Sequence, residues 1–231
     1  PLRSLFQHPT VRSLARSAGL LRDAGDGSGS HPALRPMAKG GLTQLSFAQQ
    51  RLWFLDRLQG GTREYLLPEA FRIQGPLDPT ALGQAINHVV ERHEALRTHF
   101  IEVDGEPFQR VLPQLHVELP VEDLSLLDTH AREEAVRQAI ERDRNEPFDL
   151  TRAPLLRLRL LRLGRDEHLL LRSCHHIVAD GWSLGVFNRE LGAAYGALAS
   201  GSRPLLEPLA VQYPDYATWQ REWLQGPRSE E

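Results

Sequence analysis

The segment LRLRLLRLGRDEHLLLRSC, residues 156–174, constrains the fold more than any other stretch of the chain. Leu156–Leu163 alternates leucine with arginine at an approximate period of two, which predicts a strand with arginines on its outer face. A turn at Gly164–Glu167 then leads into a second apolar strand, His168–Cys174. Two adjacent apolar strands must be covered by something. Helix signals on either side supply the cover.

Asp78 followed by Pro79 reads as a capping acid with proline at the first helical position. Leu82, Ile86, Val89, His93 and Leu96 then fall on one helical face. A second helix is predicted from Asp128 to about Asn145, acidic early and arginine-rich late, as the helix dipole favours. A third runs from Ser183 to about Ser200 with Phe187, Leu191, Ala194 and Leu198 inward, and Tyr216, Trp219 and Trp223 mark a last aromatic helix. Asp104-Gly105, between Phe100–Val103 and Pro107–Leu112, is a hairpin signal. Strands interleaved with helices predict an α/β sandwich rather than a barrel.

Residues 1–22 read as a short helical piece with Leu5, Phe6, Val11, Leu14 and Ala15 apolar, Pro9 starting a second helix and His8 near its cap. Residues 23–41 hold five glycines, two prolines and two serines, a linker composition. The first 41 residues carry six basic and two acidic groups, against 21 and 28 in the rest, so the charge balance also changes near 41. The whole chain of 231 residues has a net charge of −3 and a single lysine, Lys39, which argues against a nucleic-acid-binding face. No apolar run of about 18 residues predicts a membrane span, and no secretory signal is expected. Cys174 is the lone cysteine and cannot form an internal disulfide, which favours a reducing cytoplasm.

Reactive groups are densest in CHHIVADGWS, residues 174–183, between a buried strand and a helix start. A metal site is disfavoured, because adjacent histidines on a strand point to opposite faces and no second ligand cluster exists. A cysteine nucleophile remains open, with Cys174 and His176 on one face if the strand continues. So does acyl transfer assisted by His176 at the strand end, with Asp180 fixing the loop by pairing with an arginine and Gly181 allowing a tight turn and a substrate's approach. Two ordinary core histidines beside a turn are the bland alternative.

HHIVADGWS at 175–183 is similar to the HHxxxDG core of the condensation domains of nonribosomal peptide synthetases, within the chloramphenicol-acetyltransferase-like superfamily. LSFAQQRLWFL at 45–55, RHEALRTHF at 92–100 and YPDYATW at 213–219 resemble three further motifs of that family, in its order. The resemblance implies an α/β chloramphenicol-acetyltransferase-like sandwich, with 42–231 as the N-terminal lobe of a two-lobed, V-shaped domain. LFQHPTVRSLA at 5–15 resembles the last helix of a peptidyl carrier domain, so 1–22 is expected to be a carrier remnant and 23–41 the linker.

The resemblance also implies roles. His176 would be catalytic, His175 and Asp180 structural support, and Arg97 the ion-pair partner of Asp180. Gly181, Trp182 and Ser183 would border the substrate channel. The implied reaction joins the amine of a carrier-bound aminoacyl thioester to a carrier-bound acyl or peptidyl thioester. Phosphopantetheine arms of upstream and downstream carrier domains would bring the substrates, beside an adenylation domain, with no cofactor or metal bound directly. The C-terminal lobe is expected to be missing from the chain, and condensation by this segment alone to be poor. A docking or structural module of a multidomain synthetase is the alternative.

Overall fold

The computed structural model describes residues 7–16, 33–37, 40–61 and 63–225. The chain divides into two compact units, Pro1–Ala33 and Leu34–Glu231. In the first, residues 11–16 are helical. Thr10 caps them, not His8. Its hydroxyl accepts from the Ser13 N–H at 3.2 Å, and its own N–H donates to the Ser13 hydroxyl at 3.3 Å. Residues 1–6 and 17–22 of the expected helical piece, and most of the 23–41 linker, lie outside the described residues.

The second unit is built on two sheets. In chain order its elements are β1 (Leu42–Gln44), α1 (Phe47–Gln59), β2 (Leu66–Gln74), α2 (Pro79–Arg92), a 3-10 turn (Glu94–Arg97), β3 (Thr98–Val103), β4 (Glu106–Val111) and β5 (Val121–Asp123). There follow α3 (Thr129–Asn145), β6 (Leu156–Gly164), β7 (Glu167–His175), α4 (Gly181–Ala199) and α5 (Tyr213–Gln225). The smaller sheet has the order β1-β4-β3 and the larger β2-β7-β6-β5, so β7 is flanked on both sides. β7 is antiparallel to β2 and to β6, and β5 runs parallel to β6.

Local chemistry accounts for the elements. Asp78 caps α2, accepting from the N–H groups of Thr80 and Ala81, and Asp128 caps α3 through Ala131. At the β3–β4 turn, Asp104 and Gly105 have φ of 53° and 82°, the paired left-handed residues that a two-residue hairpin requires. α2 ends at Arg92. His93 is its extended C-cap, and the 3-10 turn then carries Leu96 back into the core.

Both faces of the larger sheet are buried. Leu82, Ile86 and Val89 of α2 and Phe187 and Leu191 of α4 pack on Leu158, Leu160, Leu170 and Cys174. On the other face Ala139 of α3 packs on Leu161, Leu163, Leu169 and Leu171. This is why Leu160 and Leu161 stand side by side in sequence: each fills a different core. Two of the three arginines expected on an outer face, Arg157 and Arg159, lie instead under the end of α3, while Arg162 is exposed and 3.4 Å from Asp123. Arg159 is 3.5 Å from Asp143, while Arg157 is 3.5 Å from Glu146 and stacks over Phe148 at 4.6 Å. A third cluster, with Leu52, Trp53, Phe100, Phe148, Leu155 and Ile177 among its members, draws on α1, β3 and the segment after β7. Among the described residues no helix is long and apolar enough to cross a membrane.

Leu160 is fully buried at the sheet centre, whereas Leu126 is 95% exposed. Leu160→Ala is expected to destabilise the chain by about 2–5 kcal/mol, and Leu126→Ala by less than about 0.5 kcal/mol, in urea unfolding. Equal midpoints for the two variants would contradict this packing.

Candidate active site

The strand β7 ends at His175, and residues 176–178 turn away from it. Three backbone bonds fix that exit: His175 N–H to Leu155 O at 3.0 Å, His176 N–H to Tyr65 O at 2.8 Å, and Val178 N–H to His175 O at 3.1 Å. Ile177 then enters the third core cluster and Ala179 the α2–α4 core. The turn is thus pinned by two apolar side chains, while His176 and Asp180 are exposed.

The two histidines part company, because the strand stops between them rather than by alternation across it. His175 is fully buried. Its Nδ1 accepts from the Ile177 N–H at 3.1 Å, so the proton of the neutral ring sits on Nε2, which is buried without a partner. Phe148 meets the ring edge-on, with centroids 6.4 Å apart. Burial, and to a smaller extent the neighbouring His176, pushes the His175 pKa down to about 4. His176 sits outside this sealed environment.

Asp180 is the N-cap of α4. Its carboxylate accepts from the Ser183 N–H at 2.8 Å and lies 2.7 Å from the Ser183 hydroxyl, which accepts from the Asp180 N–H at 2.6 Å. These bonds to the Ser183 backbone and side chain, more than the nearby His176, hold the Asp180 pKa below the usual carboxylate range. Ser183, expected at the channel, is therefore half of a capping box.

The expected Arg97–Asp180 pair does not form. Arg97 donates to the carbonyls of Leu112, Pro113 (3.5 Å) and Glu91 (3.3 Å), closing off the end of β4, while the helix start occupies Asp180. Gly181 is not required by a left-handed turn. An added Cβ there would meet no atom within 4 Å, so the space beside it is open. Trp182 is 82% exposed and lines a cavity of about 240 Å³ together with His93, Leu96, Ala179 and Leu184.

The nucleophile reading loses its geometry. Because the strand stops at His175, His176 does not share a strand face with Cys174, which lies in the α2–α4 core where burial pushes its thiol up to about 12. Such a thiol is not a thiolate near neutrality. Among the described residues no group of three His, Cys, Asp or Glu side chains could hold a metal ion.

The other sequence motifs are tied to this turn, to the helix after it and to one another, through contacts that spacing alone does not announce. Gln49 and Ser46 form the capping box of α1, and the Gln49 amide also donates to Ile177 O at 3.4 Å. The Ser46 hydroxyl lies 2.9 Å from the Tyr213 hydroxyl. His93 and Arg92 hold Glu190 of α4 at 2.6 and 3.1 Å.

The family described as "Condensation domain" matches residues 40–231. One component of the linear gramicidin synthase of Brevibacillus parabrevis is 41% identical over 226 residues, covering 97% of this chain and 3% of that protein. The cyclosporin synthetase of Tolypocladium inflatum is 40% identical over 226 residues, covering 97% and 1%. Among solved structures, the complex of the X-domain and OxyB from teicoplanin biosynthesis has a TM-score of 0.78 at 35% identity, covering 88% of this chain and 43% of that one. The first condensation domain of the calcium-dependent antibiotic synthetase, in complex with a substrate analogue, has a TM-score of 0.73 at 27% identity, covering 82% and 45%. The chain therefore spans a few per cent of these synthetases and under half of the structural neighbours. The two-sheet α/β arrangement is the chloramphenicol-acetyltransferase-like fold.

The state of His175 sets a pH dependence. The unfolded chain protonates this imidazole near 6.5 and the folded chain only near 4, so stability falls as pH drops through that window. Above about 6.5 both states are neutral and the effect vanishes. At about 1.4 kcal/mol per unit, the loss between pH 7.5 and 4.5 is roughly 2–3 kcal/mol. Urea unfolding of His175→Asn should lack this part of the slope. An unchanged slope would place His175 in a solvated site.

Proposed function

Because the chain belongs to the condensation-domain family of nonribosomal peptide synthetases, whose reaction is peptide-bond formation, we propose that it supplies the His176-bearing lobe of such a catalyst. One observation carries this reading: an exposed imidazole, His176, on a backbone fixed by the strand before it and the capped helix after it.

The donor is an acyl or peptidyl thioester and the acceptor an aminoacyl thioester, each on the phosphopantetheine arm of a carrier domain. An α-amine of pKa about 8 is partly neutral near pH 7, so alignment and proton handling matter more than activating a nucleophile. The amine nitrogen attacks the thioester carbonyl, the C–N bond forms and the C–S bond breaks. The proton shed by the amine passes through His176 to the departing thiolate. His175 stays neutral and structural. Asp180 holds the start of α4 in place. The open space at Gly181 and the exposed face of Trp182 flank the path of the tethered substrate.

The proposal extends to organisation. Residues 1–22 end an upstream carrier domain, 23–41 link it, and 42–231 form an N-terminal lobe that works with a second lobe, both carriers and an adjacent adenylation domain in the cytoplasm. A family match that starts at residue 40, and a boundary between compact units at Ala33, support this division. The synthetase relatives support the multidomain setting. A second reading, a docking module without turnover, is favoured by the neighbour whose structure is a complex of the X-domain with OxyB.

Mass spectrometry of an incubation with loaded donor and acceptor carriers separates the two. The chain is expected to form the dipeptidyl thioester far more slowly than a complete condensation domain, and His176→Ala to lower the yield by about 100-fold or more. Product unaffected by His176→Ala would overturn the role of the imidazole. Turnover at the rate of a complete domain would overturn the one-lobe reading. Carrier binding without product would support the docking reading.

A further inference from the structure

Arg172 is the bulkiest fully buried side chain among the described residues, and nothing in the proposed chemistry uses it. It lies on β7, three residues before His175, with its side chain 1% exposed. Its Nη1 donates to Asn188 Oδ1 of α4 at 2.7 Å, and its Nη2 pairs with Glu69, the residue directly opposite on β2. The guanidinium carbon lies 5.3 Å from the Phe71 ring centre and 4.7 Å from that of Phe187. Its Nε is buried with no partner.

Burying a guanidinium is costly even when it is paired, and an apolar side chain of similar volume often serves stability as well or better. What an apolar side chain cannot supply is direction. Aliphatic contacts allow a helix to slide or roll by a fraction of a turn, whereas a planar fork with two fixed partners does not. The partners of Arg172 are placed where direction matters. β7 is the stem entering the turn at 176–180, and α4 is the stem leaving it, with Asn188 about two turns beyond Gly181. Glu190 ties the same helix to Arg92 and His93, but those residues stand on α2 and its cap, not on the strand that carries the histidines.

We infer that Arg172 is a positioning residue for His176: through Asn188 it locks α4 to β7 and so fixes both ends of the turn on which the imidazole stands. The relevance to chemistry rests on the reading of His176 given above. A displacement of about 1 Å at a reacting group is enough to cost a hundredfold in rate, so a bracket of this kind has a use that stability does not explain.

Hydrogen exchange of backbone amides, read by mass spectrometry on the 231-residue chain, tests this without any substrate. In Asn188→Ala and in Arg172→Met, amides of residues 176–184 are expected to exchange about tenfold faster or more, while α2 keeps its protection. Asn188→Asp, which retains an acceptor for Arg172, is expected to restore slow exchange. Unchanged exchange at 176–184 in Asn188→Ala would overturn the inference. So would equal loosening of α2, which marks a general loss of stability. Asn188 is exposed, so its variants fold even if Arg172→Met does not, and they decide the matter alone. A failed reading of His176 shows instead as a condensation yield indifferent to His176→Ala, which leaves the exchange result standing.

Discussion

Everything about the site depends on the burial of β7. From His168 to His175 every side chain on this strand is buried, because β2 and β6 flank it and helices cover both faces. A strand so placed can present a reactive group only by ending. It ends at His175, and the next residue is in the open. The histidine pair is split by geometry into a sealed imidazole kept neutral by desolvation and an open one at the surface.

Ending a strand is not enough to aim a side chain. The turn is held because Ile177 and Ala179 enter two different cores, and because Tyr65 and Leu155 take up the N–H groups of His176 and His175. Asp180 and Ser183 then start α4 at a fixed point. Each such hydrogen bond contributes about 1 kcal/mol to stability, a modest amount singly. Together they leave the backbone at His176 little freedom. Gln49 of α1, and Glu190 through His93 and Arg92, extend the same restraint to the segments at 45–55 and 92–100.

Features written into neighbouring residues were legible in the sequence. Asp78 with Pro79, Asp128, and the Asp104-Gly105 turn each act within a few residues of themselves, and the structure has them in the expected roles. That His175 and His176 separate was legible from their adjacency, but the cause is the end of β7 between them rather than strand alternation, which would have buried both. Long-range partners were not. Arg97 offers a guanidinium, but which acceptors meet it depends on where β4 ends, and those are carbonyls rather than Asp180. Arg157 and Arg159 of β6 look like a solvent face by periodicity, yet the end of α3 lies over them with Asp143 and Glu146 in position. Ser183 looked like a channel residue because it follows the motif, while its hydroxyl answers to the helix start. Arg172, the residue that ties β7 to α4, has no local signature at all.

The central claim is that one histidine of the pair is sealed and the other open. Diethylpyrocarbonate at pH 7, with modified positions assigned by tandem mass spectrometry, reads this directly, since among histidines it acylates only neutral imidazoles that it can reach. The account predicts that the folded chain is modified at His176 and spared at His175, and that both react once the chain is unfolded. Comparable modification of the two in the folded chain, or protection of His176, would contradict it.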